Sequence, residues 1–166
     1  MTGVQTCALP IFELVFAVRP DVFNHNVETV ARLQRAVRPS AGYARSLGVL
    51  SAAKAAGLKV KTGFMLGLGE TEDEVDGLLH DLAGIGVDIV TIGQYLRPTS
   101  HHLPVARWVE PAEFARWAQL GESLGIAHVE ASPLTRSSYH AKEAADHVAP
   151  AATPVALGRQ IGRAHV

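Results

Sequence analysis

Short apolar runs alternate with helix-like patterns along most of this chain. Three runs, at 59–66, 87–92 and 126–130, predict strands. The spacing of apolar residues predicts helices at 28–37, 43–56, from 71 to the glycines at 84 and 86, at 109–124 and at 138–148. Strands that alternate with helices are typical of an α/β fold with a parallel sheet, either open or closed into a barrel.

The helix that begins at Thr71 carries the clearest local signals. Thr71 is a suitable N-cap, and Glu74 three residues later completes a capping box. Apolar residues then recur at helical spacing, in a stripe formed by Val75, Leu78, Leu79 and Leu82. Gly84 and Gly86 are expected to end this helix.

Composition narrows the range of functions. The 166 residues carry 15 Lys and Arg against 16 Asp and Glu, a net charge of −1, so the chain has no general attraction to nucleic acid or an anionic membrane. No apolar run reaches the roughly 20 residues that span a bilayer, and no secretory signal pattern is present, so we expect a cytoplasmic protein. The single cysteine, Cys7, excludes a CxxC pair and an all-cysteine metal site made by this chain alone.

The DNA sequences that encode the two ends of the chain are reverse complements of each other. Residues 161–166 back-translate to DNA whose reverse complement reads Thr-Cys-Ala-Leu-Pro-Ile, the sequence from Thr6 to Ile11. We therefore predict that residues 1–11 and 161–166 derive from a sequencing adapter. The rest divides into a domain at 12–148 and an Ala/Pro-rich tail at 149–160, and it contains no cysteine.

Candidate ligand groups follow the first predicted strand, because chemistry in parallel α/β folds gathers at the C-terminal ends of strands. The turn Gly67-Leu68-Gly69-Glu70 lets the backbone approach a ligand, and the helix start after it favours an anionic group. It lacks the third glycine of a Rossmann fingerprint and the Gly-Lys-Ser/Thr of a P-loop. Spacing alone is equally consistent with a tight βα turn.

Polar groups also follow the second predicted strand. Gln94, Tyr95 and Arg97 could bind a small ligand, or they could form an ordinary polar rim. The adjacent His101-His102 pair is a weak metal candidate, because neighbouring side chains diverge and no cysteine or further histidine lies at ligand spacing.

Two further polar clusters precede predicted helices. In the segment 24–29, Asn24 or Asn26 would serve as an N-cap, which explains one asparagine but not the whole cluster. In the segment 133–140, Ser137 or Ser138 would cap the last helix, and neither serine lies in the G-x-S-x-G turn of a hydrolase.

Five motifs occur together in the order and spacing of one family. They are Asn24-His25-Asn26-Val27-Glu28-Thr29-Val30, Gly67-Leu68-Gly69-Glu70-Thr71, Ile92-Gly93-Gln94-Tyr95-Leu96-Arg97-Pro98, His102-Leu103-Pro104-Val105 and Arg136-Ser137-Ser138-Tyr139-His140. Over 21–145 the chain resembles lipoyl synthase, a radical S-adenosylmethionine enzyme with a partial TIM-like barrel. The resemblance implies that the chain is the C-terminal half of this α/β barrel, with parallel strands and helices outside.

The resemblance also implies an activity and its cofactors. Lipoyl synthases insert two sulfur atoms at C6 and C8 of a protein-bound octanoyl chain. They use S-adenosylmethionine and two [4Fe–4S] clusters, one of which is consumed as the sulfur donor. The implied partners are octanoylated lipoyl carrier domains, from the acyltransferase component of 2-oxoacid dehydrogenases or the glycine cleavage H protein. A ferredoxin or flavodoxin would supply electrons, and neither nucleic acid nor membrane is implied.

Residue roles follow from the resemblance, motif by motif. Gly63-x-Met65-x-Gly67-x-x-Glu70 resembles the Gly-x-Ile-x-Gly-x-x-Glu pattern of radical enzymes, so it would flank the adenine of S-adenosylmethionine. The full set implied for cofactor binding is Glu28, Arg45, Met65, Gly67, Gly69, Glu70, Gln94 and Tyr95. Within this set, Glu28 and Arg45 would hold the ribose and methionyl ends.

The serine motif implies the only metal ligand. Ser138, with Ser137 as the alternative, matches the oxygen ligand of the auxiliary cluster. An alkoxide oxygen suits cluster iron less well than thiolate does, which fits a cluster that is consumed.

The chain departs from the family pattern in one respect. Family members supply three cysteines to each cluster from runs that this chain lacks, so neither cluster is expected on this chain alone and we expect the isolated chain to be inactive. Two alternatives stay open. One is a different TIM-barrel enzyme, such as an aldolase that forms a Schiff base on Lys61, and the other is a truncated product without function.

Overall fold

Four parallel strands, ordered β1-β2-β3-β4 as in the chain, form the sheet at the centre of the fold. The computed structural model describes the backbone of residues 9–136 and the side chains of residues 11–136. The predicted helix at 138–148, the Ala/Pro-rich tail and the serines at 137 and 138 lie outside the described residues. No helix within the described part is long and apolar enough to cross a membrane.

Helices and strands alternate through the described chain. The strands are β1 (Phe23–Asn24), β2 (Val60–Leu66), β3 (Ile89–Gln94) and β4 (His128–Ala131). The α-helices are α1 (Leu9–Val18), α2 (Gln34–Val37), α3 (Tyr43–Ala55), α4 (Glu72–Ile85) and α5 (Pro111–Ser123), and a 3-10 turn spans Ala31–Leu33. The expected parallel α/β architecture is thereby confirmed.

Alternate residues of the central strands face opposite sides of the sheet. From β2, Val60, Phe64 and Leu66 enter the hydrophobic core, where they join the apolar stripe of α4. That stripe is the one predicted, Val75, Leu78, Leu79 and Leu82, and each side chain is at most 1% exposed. The residues between them on β2, including Gly63 and Met65, face away from α4 and line a cavity. We call this second side the inner face.

The start of α4 has the predicted capping box. Thr71 Oγ1 accepts a hydrogen bond from the Glu74 amide at 3.3 Å, and Glu74 accepts one from the Thr71 amide at 2.9 Å. At the other end, Gly86 adopts a left-handed conformation with φ of 81° and caps the helix. Gly84 lies inside the helix and does not end it, because a glycine without a left-handed φ leaves the helical hydrogen bonds intact.

The predicted helix at 28–37 is wrong at its beginning. Glu28 has a left-handed φ of 73°, which a helix excludes. Its backbone is bound to β2 instead: its amide donates to Gly63 O at 3.0 Å, and its carbonyl accepts from the Met65 amide at 2.9 Å. Helical structure begins only at Ala31, and its N-cap is Val30.

The asparagines expected as N-caps therefore have other positions. Asn24 is the last residue of β1, and the Asn26 carbonyl accepts from Arg38 Nη1 at 2.9 Å. The side-chain oxygen of Asn26 is buried and has no hydrogen-bond partner among residues 11–136.

Helix α1 packs against the sheet through two phenylalanine rings. Phe12 and Phe16 contact the ring of Phe23 edge-on, with centroids 6.1 and 5.2 Å apart. The helix begins at Leu9, so it continues across the predicted adapter boundary at residue 11, and that boundary stays a prediction.

The Glu74 carboxylate makes the free energy of unfolding depend on pH. Hydrogen bonds from Arg32, at 2.7 and 2.8 Å, are the main reason that the pKa of Glu74 falls to about 2. In the unfolded chain, Glu74 has its ordinary pKa of 4.5, so between pH 4.5 and 2 the unfolded chain binds more protons than the folded one. The free energy of unfolding therefore falls as the pH decreases through this interval. In Glu74→Gln, urea denaturation should show a smaller loss over this interval. The exposed Glu122→Gln variant is the control and should show the parental loss. The prediction is contradicted if the unfolding free energy of Glu74→Gln depends on pH as steeply as that of the parent.

Candidate functional site

A cavity of about 250 Å³ lies on the inner face, near the C-terminal ends of β2 and β3. Its walls come from residues far apart in the sequence, including Asn26, Glu28, Gly63, Met65, Thr91 and Arg136. The register of the sheet explains this meeting, because Gly63 pairs with Thr91 and Met65 pairs with Gly93. This is the position where ligands bind in parallel α/β folds.

A second cavity of about 420 Å³ adjoins the first. Both are lined by Glu28, Met65 and Leu96, so these three residues separate the two spaces. The second cavity adds Tyr95 and Arg38, together with His101 and His102. Small-molecule sites commonly occupy 300–1,000 Å³, so the adjoining cavities offer room for one ligand of that class.

Two amides of the turn after β2 are bound by a carboxylate of the turn itself. The Glu70 carboxylate, which belongs to a residue only 7% exposed, accepts hydrogen bonds from the amides of Gly67 at 2.6 Å and Leu68 at 2.9 Å. These two N–H groups are therefore occupied from within, and the expectation that the helix start after the turn favours an anionic group stays a prediction. Gly67 and Gly69 have left-handed φ angles of 97° and 103°. Gly67, Gly69 and Glu70 shape the turn and line neither cavity.

Gln94 holds the surrounding loops together. Its side-chain nitrogen lies within hydrogen-bond distance of three carbonyl oxygens, those of Leu66, Tyr95 and Arg107, at 3.1–3.3 Å. Its side-chain oxygen accepts from the Val109 amide at 3.0 Å. Gln94 lines the smaller cavity, but its amide group is already engaged by the protein.

Tyr95 and Arg97 are also anchored by backbone oxygens. The Tyr95 hydroxyl donates to Leu103 O at 2.9 Å, and Arg97 donates to the carbonyls of His102 and Ser100. Tyr95 lines the larger cavity with a side chain that is almost fully buried.

Charged groups on both sides of the smaller cavity have few partners. The Glu28 carboxylate forms no hydrogen bond or ion pair with any other described residue. Among the same residues, the Arg136 guanidinium bonds only to the carbonyl of Thr135, at 2.7 Å. The nearby His25 is partly buried, and burial followed by the charge of Arg38 lowers its pKa. A carboxylate and a guanidinium are thus available to a polar ligand.

Several predicted residues lie elsewhere. Arg45 is exposed on α3, where it approaches Ser40 O at 3.5 Å, and it lines neither cavity. Lys61 is 2% exposed on the inner face, and its ammonium has no hydrogen-bond partner in the part of the chain that the structure describes. Burial lowers the pKa of Lys61, against the opposing charge of Glu130. Lys61 also lines neither cavity.

The histidine pair does not form a metal site with its described neighbours. His102 Nδ1 lies 2.8 Å from Thr99 Oγ1, and both histidines only border the larger cavity. Within residues 11–136, no group of three or more His, Cys, Asp or Glu side chains is arranged to hold a metal ion. The only predicted metal ligand, Ser138 with Ser137 as alternative, lies outside the described residues.

Sequence reasoning missed Thr91, Gly93 and Thr135 as residues of the site. All three line the smaller cavity, and Thr91 and Gly93 alternate along β3 on the inner face. The period-two alternation could have identified Thr91 and Gly93. Thr135 could not be found in this way, because it follows β4 in an irregular segment.

Comparison with known proteins shows what this chain is similar to. A family model described as "Radical SAM superfamily" matches residues 3–82. The chain is 59% identical over 131 residues to the lipoyl synthase of Rubrobacter xylanophilus, a match that covers 78% of this chain and 41% of that protein. It is 56% identical over 127 residues to the lipoyl synthase of Mycobacterium avium and 57% to that of Mycobacterium tuberculosis, with 76% of this chain and 41% of each relative covered. The chain therefore spans about two fifths of the length of these relatives.

A solved structure supports the fold. Streptococcus suis SuiB superposes with a TM-score of 0.54 at 10% sequence identity, over 70% of this chain and 27% of the SuiB chain. At this identity the likeness concerns the fold alone.

The turn after β2 should depend on the charge of Glu70. In Glu70→Gln, one of the two amides of Gly67 and Leu68 faces an NH₂ group in place of an oxygen. A buried donor left without an acceptor costs about 1–3 kcal/mol, and chemical denaturation should show a loss of this size. The exposed Glu122→Gln variant should remain at the parental value. An unchanged unfolding free energy in Glu70→Gln would show that the turn does not need the carboxylate.

Proposed function

We propose, from the homology of this chain to lipoyl synthases and its match to the radical SAM superfamily, that it forms the S-adenosylmethionine-binding part of a lipoyl synthase. The whole enzyme would insert two sulfur atoms at C6 and C8 of an octanoyl group carried by a protein. The octanoyl carrier would be a lipoyl domain of a 2-oxoacid dehydrogenase or the glycine cleavage H protein. A ferredoxin or flavodoxin would supply electrons to the enzyme.

One observation carries this proposal. The smaller cavity is lined by members of four separate signature motifs: Asn26 and Glu28 from the first, Met65 from the glycine-rich strand, Gly93 from the motif at 92–98, and Arg136 from the serine motif. The register of the strands brings these segments together. The groups that they contribute, an amide, a carboxylate, a thioether and a guanidinium, suit one small polar ligand.

The residues present fit S-adenosylmethionine. The Asn26 side-chain oxygen is buried without a partner among the described residues and belongs to the cavity lining, so it could accept a hydrogen bond from an amine or hydroxyl. In this proposal, the adenine lies between Met65, which lines both cavities, and the ring of Tyr95, which lines the larger one. Glu28 holds the ribose, and Gly67, Gly69, Glu70 and Gln94 keep the loops in place.

Arg45 is assigned no contact in this proposal, because its side chain lies outside both cavities. Arg136 is the cation that lines the smaller cavity, and it is the better candidate for the methionyl carboxylate. When bound, S-adenosylmethionine supplies the radical chemistry by which hydrogen atoms leave the octanoyl chain.

The iron–sulfur clusters do not fit this chain by itself. Two clusters need several thiolates, and the sequence holds one cysteine. We propose that the other ligands belong to the three fifths of the relatives' length that this chain does not span. Ser138 would add one oxygen ligand to the auxiliary cluster.

The Schiff-base alternative receives less support. Lys61 is buried below the cavity and lines neither space, so a carbonyl ligand in the site would not meet its amine. Borohydride trapping of a carbonyl compound on Lys61 would revive that alternative.

A chimaeric enzyme tests the proposal. The 131-residue matched segment of the R. xylanophilus lipoyl synthase would be replaced by the corresponding segment of this chain. After cluster reconstitution, the chimaera should form lipoyl groups on an octanoylated carrier domain, as measured by mass spectrometry. The isolated chain, treated identically, should form none. A chimaera that folds and carries both clusters but neither cleaves S-adenosylmethionine nor inserts sulfur would refute the proposal.

The serine assignment has a separate signature in the same chimaera. Ser138→Ala should abolish sulfur insertion while cleavage of S-adenosylmethionine continues, because only the auxiliary cluster would lose a ligand. Ser137→Ala is the matched control and should retain both reactions. Loss of insertion in Ser137→Ala with retention in Ser138→Ala would reverse the assignment.

A further inference from the structure

A segment at 132–136, which we call the crossing segment, passes over the end of β3. It follows β4 and is bound to β3 at two points. The Ser132 amide donates to Ile92 O at 3.1 Å, and the Gln94 amide lies 3.4 Å from Pro133 O. The segment then continues to Thr135 and Arg136, which both line the smaller cavity. It therefore forms a wall of that cavity.

The crossing segment is a closed turn with its own bonds. The Thr135 amide donates to Ser132 O at 3.1 Å, and the hydroxyls of these two residues lie 2.9 Å apart. Thr135 is only 2% exposed. A turn held in this way moves as a unit, so its position is set by what lies beneath it.

Gly93 lies beneath the crossing segment. A Cβ atom on Gly93 would overlap the carbonyl oxygen of Thr135 and come within 3.2 Å of Arg136 Nη1. The obstacle is backbone, which cannot rotate away as a side chain would. Gly63 on β2 differs in this respect, because a Cβ there would first meet the Thr91 hydroxyl at 2.5 Å.

We propose that Gly93 is a positioning residue that sets the height of the crossing segment above the cavity. Without a side chain at this position, the turn lies directly on β3 and brings the Arg136 guanidinium to the cavity wall. Where the proposed function holds, Gly93 thereby sets the position from which Arg136 meets the methionyl carboxylate of S-adenosylmethionine.

Hydrogen exchange on the full 166-residue chain tests this proposal directly. In Gly93→Ala, the amides of Ser132 and Gln94, which bind the crossing segment to β3, should exchange about tenfold faster, because the inserted methyl group lifts the turn off the strand. Trypsin should cut the Arg136–Ser137 bond correspondingly faster. Gly63→Ala is the matched control: it crowds the same cavity but not the crossing segment, so it should lower global stability without this local effect.

Two results would overturn the proposal. One is parental exchange at Ser132 and Gln94 in a folded Gly93→Ala variant, and the other is an equal local increase in Gly63→Ala. If Gly93→Ala does not fold, Thr135→Gly is added, because glycine lets the backbone yield at the point of overlap. The double variant should fold with rapid cleavage after Arg136, and parental cleavage in it would count equally against the proposal.

The lipoyl synthase chimaera separates this proposal from the proposed function. Gly93→Ala in the chimaera should reduce lipoyl formation about tenfold, in parallel with the exposure of the Arg136–Ser137 bond. An inactive chimaera with Gly93 intact would contradict the proposed function and leave the exchange result valid. If the Gly93→Ala chimaera forms lipoyl groups at the parental rate although its Arg136–Ser137 bond is cut rapidly, the positioning role is refuted and the proposed function is not.

Discussion

The in-register pairing of β2 with β3 is the constraint on which the rest of the site depends. Six residue pairs, from Lys61 with Ile89 to Leu66 with Gln94, fix the two strands over their whole common length. This register places small residues side by side on the inner face, with Gly63 next to Thr91 and Met65 next to Gly93. A shift by one residue would turn this face into the core and expose the apolar side chains that α4 covers.

The pairing of β2 with β3 also determines where the two strands end. Because β2 and β3 end at the same level, the buried side-chain amide of Gln94 reaches the carbonyl of Leu66 at the end of β2 as well as those of Tyr95 and Arg107. The backbone of Glu28 joins this arrangement through hydrogen bonds to Gly63 and Met65. Its left-handed φ costs conformational energy, which the pairing with β2 offsets. The site is therefore built mainly from backbone contacts, to which side chains are attached.

Much of the fold could be predicted from the sequence because its signals are local. The capping box at Thr71 and the apolar stripe of α4 each depend on residues within a few positions of one another. The beginning of the predicted helix at 28–37 failed for the opposite reason. Glu28 is bound by strand residues more than thirty positions away, and no local pattern reports such a bond. The same holds for Arg136 and Thr135, whose approach to Gly93 depends on the whole sheet, whereas the motif resemblance already indicated the serine segment as part of the site.

The occupied turn after β2 has a consequence for ligand binding. A glycine-rich turn before a helix normally attracts phosphate, because its free N–H groups point at the ligand. Here the Glu70 carboxylate already binds those groups from inside the protein. Two of the donors that a phosphate would need are therefore already bound by a carboxylate. The turn has the glycine-rich backbone of a phosphate-binding loop, but its amides at Gly67 and Leu68 hold the turn in shape and are not free for a ligand.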